Sequence, residues 1–230
     1  MAKEVPEHGV LGLGYLGFEV SGLDVWRNFA VDVLGLQPAG DLPGDGFALR
    51  MDSYARRLFV EPGPADDVSV IGWEVSDEKA LAALAGFLED AGYAVTPGTP
   101  EEARVRGVAA LVKYRDPAGI PSELFYGPEK AAAPFESSRL LSHFVAEQSG
   151  LGHVVVSSKD KRESVDFYTR LLGFRLSDHV VCRYFGHDVD ISFFHANRRH
   201  HSVAVGGPQQ KRIHHFLLEV AAMDDVGLCF

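Results

Sequence analysis

The sequence predicts an α+β fold made of repeated βαβββ modules, three of them whole and a fourth begun. Three observations carry this. The 230 residues include 46% apolar and 23% charged residues, which is the make-up of a globular chain rather than a disordered or fibrous one. The chain repeats itself. Gly12-Leu13-Gly14-Tyr15 and Gly150-Leu151-Gly152-His153 stand 138 residues apart (153 minus 15), as do Leu34-Gly35-Leu36 and Leu172-Gly173-Phe174. Trp73-Glu74-Val75 and Leu218-Glu219-Val220 are offset by 145 (220 minus 75). A period held over that length marks an internal duplication. Within each repeat, strand alternation gives way to one helical pattern and then to short strands.

The elements follow in order. Residues 10–20 alternate as a strand. The stretch Ser21–Asp24 offers a helix start, and Val25, Phe29, Val33 and Leu34 recur at helical spacing until Gly35 ends the helix. Strands are expected at 46–51 and 57–61, and Pro62-Gly63-Pro64 breaks the chain. The second module opens with a strand at 69–75, followed by a helix over 77–91 and strands at 108–114 and 120–126. The segment 127–134, with alanines between prolines, reads as a linker. It divides an N-terminal domain, 1–134, from a C-terminal domain, 135–230. The third module starts at Leu151, with a helix over 164–172 and strands near 180–185, 189–195 and 201–205. The fourth begins with a strand at 213–220 and a helix from Met223.

Composition narrows the function. The formal charge of −10 disfavours a nucleic-acid partner, because phosphate binding needs a basic face. No apolar run approaches the ~18 residues of a membrane span, and the first residues show no apolar signal region. Cys182 and Cys229, the two cysteines, form no disulfide framework, which predicts a reducing cytoplasm.

Histidine is the outlier: of ten, all but His8 fall between His143 and His215. His153 leads the third module and replaces Tyr15 of the first. His214-His215 lies on the leading strand of the fourth. In a pseudo-symmetric sheet these strands lie side by side, and neutral imidazoles suit a divalent metal. Strand alternation lets one of His214 and His215 share a cavity with His153. His200-His201 closes a strand of the third module and could supply acid/base chemistry. Each site also has a packing reading, and His200-His201 also reads as a solvated basic turn.

The motifs Gly150-Leu151-Gly152-His153, Asn197-Arg198-Arg199-His200-His201 and Lys211-Arg212-Ile213-His214-His215-Phe216-Leu217-Leu218-Glu219-Val220 resemble those of the type I extradiol catechol dioxygenases of the vicinal oxygen chelate superfamily. The resemblance runs from about Val10 to Phe230. It implies a metal-free first pair of modules and a second pair holding Fe(II), with Mn(II) compatible with the same ligands. His153 and His215 then become metal ligands. The acid/base histidine maps to the His200-His201 pair, with His201 favoured, and Phe193 is a pocket-lining aromatic. The implied reaction opens a catechol, of the bicyclic 2,3-dihydroxybiphenyl kind, with O2, in an enzyme that assembles as a homo-oligomer.

The resemblance also implies a third ligand, a Glu in a D-P-x-G-x-x-x-E-like segment of the fourth module. The first half holds its counterpart, Asp116-Pro117-Ala118-Gly119-Ile120-Pro121-Ser122-Glu123. Adding 145 to Glu123 gives a position near ~268 by the repeat, so the expectation is a truncated form of a longer parent that alone cannot complete the reaction. Glu219 shares a face with His215 but lies about 13 Å further along the strand, at ~3.3 Å per residue, and is expected to be structural, like Glu74. Asp188 and Asp190 fall outside ligand positions. The alternatives within the superfamily are a glyoxalase-like isomerase and a metal-free aromatic-binding protein.

Overall fold

Glycines at 14 and 17 interrupt the first strand, β1 (Gly12–Val20). Its pairing with β5 (Asp67–Glu74) shifts register near both of them, as bulges at glycine do. The shifts turn Leu13, Leu16, Phe18 and Val20 to one core and Tyr15 to another. A computed structural model describes residues 9–229. The leading stretch, where the sequence shows no signal region, and Phe230 lie outside the described residues.

The first module continues with α1 (Leu23–Asn28), which widens into a π turn over Phe29–Val33. β2 (Gln37–Asp41), β3 (Phe47–Arg50) and β4 (Leu58–Pro62) follow. The second module has β5, α2 (Glu78–Asp90), β6 (Thr96–Pro97), α3 (Pro100–Arg106), β7 (Ala110–Arg115) and β8 (Pro121–Tyr126). Asp77 caps α2, accepting the Ala80 N–H at 2.9 Å. The third module has β9 (His153–Ser157), α4 (Lys161–Asp166) with a π turn over Phe167–Leu171, β10 (Arg175–Tyr184), β11 (His187–His195) and β12 (Val203–Gly206). β13 (Ile213–Leu217) and α5 (Met223–Leu228) begin the fourth.

The first two modules share one eight-stranded sheet, in the order β2-β3-β4-β1-β5-β8-β7-β6. Each contributes four strands, joined through the antiparallel β1–β5 pair. The second sheet, β10-β11-β12-β9-β13, repeats that plan as far as the matching β9–β13 pair. The registers coincide under the sequence offsets. Tyr15 opposes Gly72, and Gly17 opposes Val70. Adding 138 and 145 gives His153 opposite Leu217, and Val155 opposite His215, the pairs found. The two π turns also stand 138 apart.

The halves pack against each other. Leu13 and Leu151, both fully buried, meet where the two Gly-Leu-Gly segments cross, and the Leu151 N–H donates to the Leu13 carbonyl at 2.7 Å. A Cβ on Gly150 would lie 2.8 Å from that same oxygen, so the crossing requires glycine. Trp73 meets Phe174 and Tyr168 edge-on across the junction, at 5.2 and 6.2 Å between ring centres. The segment after Tyr126 lies along the first half, with Arg50 donating to the Ala133 and Pro134 carbonyls.

Some elements differ from expectation. The first helix starts after Gly22 with no side-chain cap. The third-module helix starts three residues early, because Asp160 caps it through the Glu163 N–H. β13 stops at Leu217 rather than at 220. β2, β6 and α3 are additional. The α3 start was written in the chain as a capping box, with Thr99 and Glu102 bonding reciprocally and Pro100 between them.

Candidate active site

The histidines meet on the inner face of the second sheet. His153 opens β9, and His215 stands diagonally opposite on β13, beside Val155. Such diagonal neighbours share a face. The strand bulges between Ile213 and His215, so His214 is the extra residue and lines, beside His215, a cleft of about 350 Å³ with Phe18, Trp26 and Phe216. The Nε2 atoms of His153 and His215 converge to 3.2 Å. The His201 ring lies 4.0 Å from that of His153, centre to centre. Phe193, on β11, stands edge-on to His201 at 4.9 Å and lies 6.1 Å from His200. His200 is exposed while His201 is half-buried, and their Nδ1 atoms are 3.0 Å apart. Sequence reasoning overlooked Ser177, whose hydroxyl lies 2.6 Å from His195 Nδ1 and also bonds the His200 carbonyl. No spacing pattern singles it out.

Burial and mutual repulsion hold these imidazoles neutral. Burial is the main cause at His153, where His201, His215 and Arg199 add to it, and the pKa falls to about 3. At His201 burial again leads, followed by His200, and the value drops to about 4. His215 is lowered by burial and by His214. Neutral imidazole is the form that ligates metal. The donor set therefore fits two ligands of one ion: 3.2 Å between the nitrogens is less than twice a metal–imidazole bond of ~2.1 Å. Among the described residues no group of three His, Cys, Asp or Glu has metal-holding geometry. Glu219 bonds Arg199, and Asp190 bonds Lys161 and His179. Neither joins the pair.

The corresponding cup of the first half is filled. Under the same offsets, His153, His215, Phe193 and Ala204 match Tyr15, Val70, Ala48 and Phe59, which pack together with Leu111 and Phe125 in a second core. Tyr15 donates to buried Glu123, and Arg106 Nε meets the same carboxylate at 3.0 Å. Burial, followed by the Glu123 charge, pushes the Tyr15 pKa well above the ordinary phenol value.

Paired βαβββ modules with an open cup lined by histidine define the vicinal oxygen chelate architecture and, within it, a metal-assisted enzyme class. Comparison with known proteins agrees. Residues 13–63 match the family model described as dihydroxybiphenyl dioxygenase BphC D1, and residues 150–230 match the glyoxalase/bleomycin resistance protein/dioxygenase superfamily. The chain is 44% identical over 225 residues to the biphenyl-2,3-diol 1,2-dioxygenase of Paraburkholderia xenovorans (strain LB400), covering 96% of this chain and 75% of that protein. It is 39% identical to the 1,2-dihydroxynaphthalene dioxygenase of Sphingobium xenophagum, covering 94% and 74%. The crystal structure of BphC, a halotolerant catechol dioxygenase, superposes with a TM-score of 0.90 at 34% identity over 96% of this chain and 74% of that one. The chain belongs to the extradiol dioxygenase family of the biphenyl-2,3-diol 1,2-dioxygenases.

Proposed function

We propose that this chain supplies the histidine side of an extradiol ring-cleavage site. His153 and His215 hold Fe(II), with Mn(II) the alternative metal, and His201 moves the substrate proton. The observation that carries this is the convergence of two neutral imidazole nitrogens at 3.2 Å with a third imidazole stacked beside them. When bound, the metal supplies Lewis-acid chelation of the two catechol oxygens and an open position for O2. The remaining work is done by side chains. A neutral His201 can accept a catechol proton and later return one. His200, exposed next to it, is the second candidate for that role. Phe193 orients the substrate ring and keeps water from the histidines. A carboxylate on a strand parallel to β13, opposite Leu217, would stand as Glu123 stands opposite Gly72 in the first half and complete the donor set.

The substrate we assign is a bicyclic catechol of the 2,3-dihydroxybiphenyl kind, supported by the names of the relatives. We further assign the metal-free role to residues 1–134 and the chemistry to 135–230. Self-association is supported by the β10–β11 hairpin, whose Val181, Tyr184 and Phe185 are exposed. No helix among the described residues is long and apolar enough to cross a membrane. Two unpaired cysteines support a reducing cytoplasm.

The test is anaerobic loading with Fe(II), addition of 2,3-dihydroxybiphenyl, and admission of air. Fe(II) uptake that His153→Ala abolishes is expected, and a yellow ring-fission product marks a donor set completed by a carboxylate. Metal-independent binding of the aromatic with no colour would favour the non-enzymatic binding reading.

A further inference from the structure

Seven residues, 196–202, connect β11 to β12 and carry His200 and His201. At its far end the connection is tied by backbone: the Ser202 N–H donates to the Phe194 carbonyl at 2.8 Å, and the Val154 N–H to the Ser202 carbonyl at 3.1 Å. The stretch before His200 is tied by side chains. Asn197 Nδ2 donates to the Leu11 carbonyl at 3.0 Å and to the Ser149 carbonyl at 3.2 Å. Its Oδ1 accepts the Arg199 N–H at 3.0 Å. Arg199 in turn donates from Nε to the Ser149 carbonyl at 3.3 Å and from Nη2 to the Val145 carbonyl at 2.7 Å, and pairs with Glu219. The Arg199 side chain is 8% exposed, and its bonds to the Ser149 and Val145 carbonyls are partly buried.

The two acceptors of Asn197 are the same position in the two halves, since 149 minus 11 is 138. Each lies just before its Gly-Leu-Gly segment. One amide group thus gives one hydrogen to each repeat where the repeats cross. The first half has a counterpart 145 residues earlier. Asp52 accepts the Tyr54 N–H at 3.1 Å, as Asn197 accepts that of Arg199. A carboxylate can only accept, and Asp52 takes the Glu147 N–H and the Arg57 guanidinium instead. At 197 both bridged groups are carbonyls, so the residue must donate twice and accept once, which asparagine does and aspartate cannot.

We propose that Asn197 and Arg199 are positioning residues. Together they form a clamp that uses the junction between the halves to hold His201 against His153, and they brace that turn to the chain beyond His215 through Glu219. The clamp rests on the proposed role of the histidines for its purpose, but its geometry can be tested without turnover. It also assigns to the metal-free half a direct part in the site, through the Leu11 carbonyl.

The experiment is nuclear magnetic resonance on the chain without metal. Nuclear Overhauser contacts between the His153 and His201 rings are compared in wild type, Asn197→Asp and Arg199→Met, with Phe194–Val203 contacts as the control for an intact sheet. Asn197→Asp should lose the His153–His201 contact while the control contact persists, because its carboxylate faces two carbonyls. Arg199→Met should weaken the same contact, and Arg199→Lys should restore part of it. If Asn197→Asp does not yield folded protein, Arg199→Met decides. Retention of the His153–His201 contact in the folded variants, with only a fall in melting temperature, would overturn the clamp. Failure of the wild-type chain to take up Fe(II) would instead count against the metal reading and leave these contacts measurable.

Discussion

Replacing Arg57 by Met should be among the more damaging single substitutions in the first half. Arg57 is 1% exposed and its partner Asp52 3% exposed. Nη2 lies 2.5 Å from Asp52 Oδ2, and Nε lies 3.1 and 3.2 Å from the two carboxylate oxygens. Nη1 reaches the Gly14 carbonyl at 2.9 Å and Nη2 the Glu147 carbonyl at 3.1 Å. Removing one partner of a buried pair costs ~3–5 kcal/mol, chiefly because the other charge is left uncompensated. Asp52 would keep the Tyr54 and Glu147 N–H groups, which places the cost near ~3 kcal/mol. For a chain of this size that is a fall in Tm of roughly 6–12 °C. The informative comparison is the double variant Asp52→Asn/Arg57→Met. It buries no unpaired carboxylate and should be more stable than Arg57→Met alone. Thermal and urea unfolding followed by circular dichroism measure both. A loss under ~1 kcal/mol, or a double variant no better than the single, would refute the view that Arg57 compensates a buried charge.

Other outcomes follow from the same geometry. Burial raises the Asp116 pKa to about 6, against the bonds from the Ile120 N–H and Tyr168 hydroxyl that lower it. The folded state therefore holds this proton more tightly than the unfolded one. The stabilisation is full below the unfolded value of 3.8 and is lost as pH rises through about 6. Asp116→Asn should accordingly raise Tm at pH 8 and leave it unchanged near pH 4. Gly152→Ala would put a Cβ 1.9 Å from the Leu217 carbonyl oxygen, driving β13 from β9; Fe(II) uptake measured by calorimetry should fall with stability. Tyr15→Phe deprives buried Glu123 of one donor while Arg106 remains, and should cost ~1–3 kcal/mol in denaturant melts.

The duplication was legible because three short motifs keep their offsets, and the strand registers obey those offsets pair for pair. His153 and His215 were readable as leaders of matching strands, and choosing His215 over His214 needed the resemblance. The bulge that separates them leaves no mark in composition. β2 was hidden because Pro38 and Gly40 read as turn residues, yet its neighbour β3 supplies the pairing. The capping box at Thr99 was visible and overlooked. What lay beyond one-dimensional reading was the convergence of distant groups. Asn197, Leu11 and Ser149 share no local pattern, and Glu123 finds Tyr15 across 108 positions.

The filled cup of the first half bears on how the protein tolerates genetic change. Its Tyr15, Phe59, Phe125, Glu123 and Arg106 satisfy one another, whereas His153, His201 and His215 are held close together as mutually unfavourable cations-in-waiting. One copy can supply surplus stability while the other carries an arrangement that stability alone would not retain. Substitutions around Tyr15 should then register in cells as reduced abundance of the chain. Substitutions of His153, His201 or His215 themselves should leave abundance intact or even raised, with the loss confined to chemistry. A library of substitutions in the side chains of the two cups, scored separately for protein level and for metal uptake, would divide between the cups.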